Sequence, residues 1–322
     1  MTRIRLSAVV LAYGRDDLLR ESLTALRTAL GAVADPTELI VVLNRISARG
    51  RAELEQSPDH LLIDPGRNLG FAAGVNAGIA RASGEWIALV NDDCVVEPSA
   101  LAELLAAGEA AADIGSVAAQ VRFADRPGTI NSAGIEVDVL GIATERLLGA
   151  PVSAGETRVT EVFGASGTAG LYRRSMLDEI GGFDESFFAY LEDADVAWRA
   201  RMAGWRCVYA PAAIVRHHHS SSLGHGSPAK HFLVGRNRVR LIAKNATAAH
   251  LARHAPRIVA YDLAYVAFAG LKTRSIAPLK GRLAGLRHWG DDRAKVPRRS
   301  VELARAFGIR HALDRERSYS DR

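Results

Sequence analysis

Apolar runs of four to six residues recur through the first 90 residues, each closed off by turn-forming residues. Residues 7–12 (SAVVLA), 38–43 (ELIVVL), 60–63 and 86–90 (WIALV) read as strands buried on both faces, as parallel strands are. Between them the spacing changes. Leu18, Leu19, Leu23, Leu26 and Leu30 recur at helical intervals, which predicts a helix over residues 15–30. Residues 69–82 read as a second helix despite Gly70, Gly74 and Gly78, and residues 98–112 as a third, with Pro98 near its first turn. Strand, helix, strand at this pace predicts crossover units and a mostly parallel sheet with helices on both faces, an α/β fold.

The later pattern is less regular. Residues 115–123 and 162–172 read as strands, while 126–161 read as short strands and a mobile loop. A helix over 192–203 ends at Gly204, and strand-like segments follow at 205–209 and 213–216. From Lys230 onward the pattern turns helical and basic. This suggests a main domain over residues 1–245, divided into parts at 1–125 and 126–245, followed by a helical basic region over 246–322.

Composition narrows the class. A chain of 322 residues, 48% hydrophobic and 24% charged, can build one sizeable domain with an appendage. Cys94 and Cys207 lie far apart without metal-type spacing, which points to a reducing compartment and no disulfide framework. The start of the chain runs straight into the first strand without the apolar core of a signal peptide. The longest apolar stretch, residues 258–271, is broken by Asp262 and falls short of the roughly 17–25 residues of a spanning helix. A cytoplasmic protein without a transmembrane helix is expected.

Net charge is uneven. The first 229 residues hold 20 basic and 29 acidic side chains, and the remaining residues 21 and 7, so +5 overall conceals −9 and +14. A basic last third attracts phosphates, nucleic acid or an acidic lipid surface, or is simply a solvated tail. No nucleic-acid reading motif or interleaved aromatics accompany it, which argues against nucleic acid. No G-x-G-x-x-G follows the first strand, which argues against a nicotinamide-dependent oxidoreductase.

Four segments carry chemistry. Asn91-Asp92-Asp93 directly follows a strand, where ligands of open α/β sheets bind, and carboxylates there suit a hard cation or a turn. The stretch from Arg67 to Asn76 puts small residues at a helix start, open to phosphate or ribose, or used for close packing. Residues 181–195 run from aromatics into Glu192, Asp193 and Asp195; capping needs only one acid, and a carboxylate beside an aromatic wall can act as a general base. His217, His218 and His219 follow a strand, and one of them could join carboxylates on Mn²⁺.

In this order the segments resemble the family 2 glycosyltransferases of the GT-A fold, and most of all their bacterial rhamnosyltransferase-like branch. The likeness rests on VVLAYGRDDLL, on NLGFAAGVNAGIARASGEWIALVNDD, on GASGTAGLYRRSMLDEIGGFDESFFAYLEDADVAWRARMAGWRCVYAPAAIVRH, and on GRNRVRLIAKN, together spanning roughly residues 5–245. The resemblance implies that Ala12, Tyr13 and Arg15 hold the nucleotide base and that Asn44 meets base or ribose. It implies that Asn68, Gly70 and Asn76 lie along the nucleotide and donor sugar, with Asp92 beside them. Asn91, Asp93 and His217 would hold Mg²⁺ or Mn²⁺, Asp193 would be the catalytic base, and Trp198 and Arg199 would lie on the acceptor side. Leu43 stands where the family usually has Asp, and Asn91 opens the Asp-x-Asp position.

The implied activity is an inverting transfer from a nucleotide-sugar donor, dTDP-rhamnose by likeness. The acceptor would be a hydroxyl of a cell-surface glycan or a polyprenyl-diphosphate-linked saccharide. The competing reading is a non-catalytic relative that binds nucleotide sugar or glycan. The apolar stretch after Ile258 would bury against the catalytic domain or a second copy, giving a homodimer, or lie on the inner membrane face as a peripheral contact.

Overall fold

The computed structural model describes residues 3–219 and 227–307. Its central layer is a ten-stranded mixed sheet. Strand β1 (Leu6–Tyr13) is followed by α1 (Asp16–Gly31), β2 (Thr37–Arg45), α2 (Ala48–Glu55), β3 (Leu61–Ile63), α3 (Gly70–Ile79), β4 (Trp86–Asn91), β5 (Cys94–Val96) and α4 (Ala100–Glu109). Then come β6 (Ile114–Phe123), β7 (Ile130–Ser132), β8 (Ile135–Val137), β9 (Ala143–Glu145), β10 (Thr160–Val162), β11 (Ala169–Arg173), α5 (Arg174–Ile180), α6 (Glu192–Ala203) and β12 (Arg206–His217). Four more helices follow among the described residues: α7 (Pro228–Asn245), α8 (Ala248–Thr273), α9 (Ala277–Arg287) and α10 (Trp289–Ala294).

The sheet runs β10-β12-β6-β11-β4-β1-β2-β3. Strands β4, β1, β2 and β3 are mutually parallel, as the buried apolar runs require. β11 enters antiparallel between β4 and β6. Two apolar layers cover the sheet. On one face the leucines of α1 and α4 pack against alternate residues of β1, β2 and β4. On the other, Ala72, Val75 and Ile79 of α3 meet Val9, Leu11, Ile40 and Val42. Gly74 and Gly78 serve that contact: a Cβ on either would come within 2.5 Å of Leu11 or Val9. The expected α/β architecture, with its helical C-terminal extension, is present.

The chain departs from its apolar pattern in three places. Residues 162–172 are not one strand; β10 and β11 are separated by a turn at 163–168. The segments at 205–209 and 213–216 are one strand, β12, whose register against β6 shifts between Ala210 and Ile214. Pro211 lies in that bulge, where its missing N–H costs no ladder bond. Helices α2 and α5 have eight and seven residues, too few for a periodic signal. Both cysteines are buried free thiols.

Candidate active site

β4 ends at Asn91 and β5 begins at Cys94, so Asp92 and Asp93 occupy the turn between them. The turn sends the two carboxylates apart. Asp92 Oδ2 accepts the N–H of Tyr13 at 2.5 Å, tying the turn to the end of β1. Burial, and secondarily the charge of Asp93, pushes the Asp92 carboxyl up to about 8.

Asp93 faces His217. Its Oδ1 lies 3.1 Å from His217 Nε2, and both side chains are buried. Register produces the meeting. β12 pairs with β5 so that His217 stands opposite Cys94, and the N–H of His218 donates to the Asp93 carbonyl at 3.0 Å. On its other side, His217 Nδ1 lies 2.9 Å from Asn131 Oδ1. An amide oxygen only accepts, so Nδ1 carries a proton, and Nε2 is the nitrogen that a metal ion beside Asp93 would take as its ligand. Two acceptors at that distance fit a shared cation. A carboxylate oxygen with an imidazole nitrogen suits Mn²⁺, and Mg²⁺ shared with phosphates. Cys94 completes the cluster, all three ligand atoms lying within 4.8 Å of one another. Burial first, and the charges of Asp93 and Asp92 next, push its thiol well above the ordinary range. A protonated soft donor suits a hard cation less than Asp93 and His217 do. Of the other two histidines, His218 turns away, its Nε2 3.3 Å from Glu21, while the His219 ring packs 5.2 Å from that of His217 without joining the cluster.

The three acids that open α6 have different surroundings. Asp195 is fully buried, 2.8 Å from Arg199, 2.9 Å from Lys244 and 2.9 Å from Asn245 Nδ2. It holds α6 to α7. Glu192 is buried, and burial with the nearby Asp193 and Asp195 charges pushes it up to about 8. Asp193 is half-buried; its Oδ2 accepts the Gly167 N–H at 3.0 Å and its Oδ1 that of Ala194 at 2.8 Å. Burial raises its pKa, and the two N–H groups oppose the rise. The next residue, Thr168, accepts the N–H of Asn91 at 3.0 Å and the thiol of Cys94 at 3.7 Å. Asp193 and the Asp93 turn therefore hang on adjacent peptide units of the turn before β11.

The backbone entering α6 is unusual. Phe188, Tyr190 and Leu191 all have positive φ, at 64°, 72° and 68°, without being glycine. Phe188, with ψ −63°, centres a γ-turn closed by Ala189 N–H to the Phe187 carbonyl at 2.8 Å. Two elements hold it. Asn237 Nδ2 of α7 lies 2.9, 2.8 and 2.7 Å from the carbonyls of Phe187, Ala189 and Tyr190. On the opposite side the N–H groups of Phe71 and Ala72 donate to the Phe188 carbonyl at 2.5 and 3.2 Å.

That second contact corrects an expectation. The start of α3 does not present open N–H groups to a phosphate, because Phe188 occupies them. Gly70, at φ +79°, is glycine for the same reason: a Cβ there would lie 2.5 Å from the Phe188 ring. Asn76 is likewise engaged, bridging Phe183 N–H and C=O at 3.0 and 2.8 Å. Asn44 and Asn68 shape the same loop. Asn44 accepts the Leu69 N–H at 2.6 Å and donates to the Gly70 carbonyl at 3.2 Å, and Asn68 accepts the Gly70 N–H at 2.8 Å.

Trp198 and Arg199 do not face a cleft. Trp198 is buried against Phe163, and Arg199 is buried on Asp195 and on the carbonyls of Ile180 and Gly182. A helix starting at 192 turns positions 198 and 199 inward. Ala12 is fully buried, backbone as well as side chain, and packs in the core under the end of β1 without an atom open to a ligand. The Tyr13 hydroxyl lies 3.5 Å from an Arg45 nitrogen, and Arg15 is exposed beside Asp17. Leu43, where the resemblance leads one to expect an acid, is buried. Sequence reading passed over Asn131, Gly167 and Asn237, although Gly167, within GASGTAGLYRR, and Asn237, within GRNRVRLIAKN, stood in segments that carry the family likeness.

The folded-state pKa of Glu192, above its ordinary 4.5, has a consequence for stability. The folded protein binds more protons than the unfolded chain between about 4.5 and about 8, so stability falls as pH rises through that window. Glu192→Gln is expected to flatten this slope and to raise the melting temperature more at pH 8 than at pH 5. Equal shifts at both pH values would assign the gain to packing.

Known proteins resemble the chain in sequence and in fold. An N-acetylglucosaminyl-diphospho-decaprenol L-rhamnosyltransferase of Mycobacterium tuberculosis is 30% identical over 204 residues, covering 56% of this chain and 66% of that protein. The chain thus spans just under two thirds of that relative's length. Among solved structures, S. aureus TarS 1–349 aligns with a TM-score of 0.59 at 16% identity, over 90% of this chain and 81% of that one. The Pyrobaculum calidifontis mannosyltransferase PcManGT, in complex with GDP-Man and Mn²⁺, aligns with a TM-score of 0.53 at 17% identity, over 90% and 88%. At such identities the structures share the fold, a mixed sheet flanked by helices. The model of the family described as "Glycosyltransferase like family 2" matches residues 4–230, most of the chain, and to that family the chain belongs.

Proposed function

We propose that the chain transfers a sugar, rhamnose from dTDP-rhamnose in the first instance, onto a hydroxyl of a glycan or a polyprenyl-diphosphate-linked saccharide. The observation that carries this reading is the pairing of Asp193 with the Asp93–His217 pair across residues 167 and 168. One acid stands ready to take a proton; the other lies where a diphosphate would be neutralised. The Mycobacterium relative, a rhamnosyltransferase by name, supports the donor and the lipid-linked acceptor.

In the proposed reaction the acceptor oxygen bonds to the anomeric carbon as the bond from that carbon to the donor diphosphate breaks. Asp193 takes the hydroxyl proton, and the diphosphate leaves with the bonding pair. Attack opposite the leaving group inverts the anomeric centre. Gly167 and Ala194 N–H groups hold the Asp193 carboxylate in one orientation, and burial leaves it a better base than an exposed Asp. Asp93 and His217 are the residues that would hold Mg²⁺ or Mn²⁺, and such an ion supplies charge neutralisation to the departing diphosphate. Asn91 is the third candidate ligand.

A thermal-shift panel of nucleotide sugars with and without Mn²⁺ tests donor and metal together. Stabilisation by dTDP-rhamnose that needs Mn²⁺ is expected, and the product anomer read by NMR should be inverted. Indifference to every nucleotide sugar would defeat the proposal. Asp93→Ala is expected to abolish the metal-dependent part of the donor shift; a shift of wild-type size that chelator leaves alone would take the metal away from Asp93.

A further inference from the structure

Eleven large apolar side chains are exposed among the described residues, and eight of them fall between Val259 and Leu286, on α8 and α9. That concentration is not the scatter of single apolar residues found on ordinary surfaces. It is densest at the α8–α9 hairpin tip, where Phe268, Leu271, Ile276 and Leu279 are all exposed, Leu271 at 81% and Ile276 at 65%. Among the described residues no helix is long and apolar enough to cross a membrane.

Charge says what covers the tip. Lys272, Arg274 and Lys280 are exposed between those apolar side chains. Over residues 248–287 the sole acid is Asp262, and it is bound inside the hairpin by Arg238 at 3.0 Å and Arg282 at 2.7 Å. A second copy docked here would bring two cationic tips together. A bilayer bearing anionic headgroups complements both features: side chains such as Leu271 enter the acyl boundary while the cations stay among the phosphates.

The hairpin is also fixed to the candidate active site. α9 lies against α7 at backbone contact: Cβ atoms on Gly235, Gly281 or Gly285 would meet the carbonyls of Pro278, Phe232 and Arg236 at 3.0, 2.2 and 2.6 Å. The opposite side of α7 holds the loop before Asp193 through Asn237, and Arg236 reaches the Phe187 carbonyl at 2.6 Å. One helix thus joins tip and base.

We propose that the α8–α9 tip is a docking surface for anionic phospholipid membranes, seated one helix away from Asp193. Its test needs no donor or acceptor, so it fails or succeeds apart from the transfer reading. The full chain is sedimented with vesicles of phosphatidylglycerol and phosphatidylcholine, and with phosphatidylcholine alone. Binding to the anionic vesicles only, weakening with salt, is expected. Lys272→Glu with Arg274→Glu should lower the partition coefficient at least tenfold, at roughly fivefold per cation lost. Leu271→Ser with Ile276→Ser should lower it comparably while the melting temperature stays unchanged. Absence of binding at low salt, or variants that bind like the parent, would overturn the proposal. So would a solution dimer that the Leu271→Ser and Ile276→Ser pair dissolves, since the face would then belong to a second copy.

Discussion

Asp193→Asn is expected to lower turnover by about 10²–10⁴-fold, the usual worth of a positioned general base, with donor binding intact. Asparagine keeps an oxygen for one of the two backbone N–H groups that Asp193 now receives, from Gly167 at 3.0 Å and Ala194 at 2.8 Å. The loss therefore reports proton removal more than misfolding. A second signature comes from pH. Burial raises the carboxyl above the ordinary Asp value, so the acid limb of kcat/KM should lie above about pH 4 in the parent. That limb should vanish in the variant. Near-parent turnover, or an unchanged acid limb, would remove Asp193 from the reaction.

Asn237→Ala is the other large effect. One buried amide nitrogen lies within hydrogen-bond distance of three carbonyls, those of Phe187, Ala189 and Tyr190, in a stretch where three non-glycine residues hold positive φ. Each such backbone state costs of the order of 1–3 kcal/mol and persists only where its surroundings impose it. A stranded buried carbonyl costs about 1–3 kcal/mol more. The variant should lose at least about 2 kcal/mol of stability to denaturant, less if water replaces the amide. Because Leu191 leads directly into Glu192 and Asp193, misplacing the base should also cost roughly 10²-fold in kcat below the melting range. KM for the donor should change far less. A variant that melts lower yet turns over like the parent would show that Asn237 supports the fold without positioning the base.

The places of the candidate acids were legible because they follow strong local signals. Asp92 and Asp93 sit directly after WIALV, a run too apolar to be anything but buried, and Asp193 opens a helix that Gly204 closes at φ 95°. His217 was legible as a partner of Asp93 through the family likeness alone. Its approach to Asp93 depends on a register shift between Ala210 and Ile214, and a bulge is set by pairing across the sheet. Gly70 shows the opposite failure. Small residues at a helix start look the same whether they admit a phosphate or another stretch of backbone, and here Phe188 is the visitor. Trp198 and Arg199 were misplaced because an aromatic and a cation near a base suggest an acceptor wall, whereas helical phase buries both. The task of Asn237 was unreadable, since its partners are carbonyls 47 to 50 residues away.

The left-handed run at 188–191 also shapes how this molecule can change over generations. Glycine or asparagine at Tyr190 or Leu191 would suit the local backbone better than the residues present. Selection for heat resistance alone would be drawn to those positions. A lineage that accepted the exchange would gain toughness and surrender the stiffness that aims its carboxylate, so bulky residues should persist there for as long as catalysis is what is being selected.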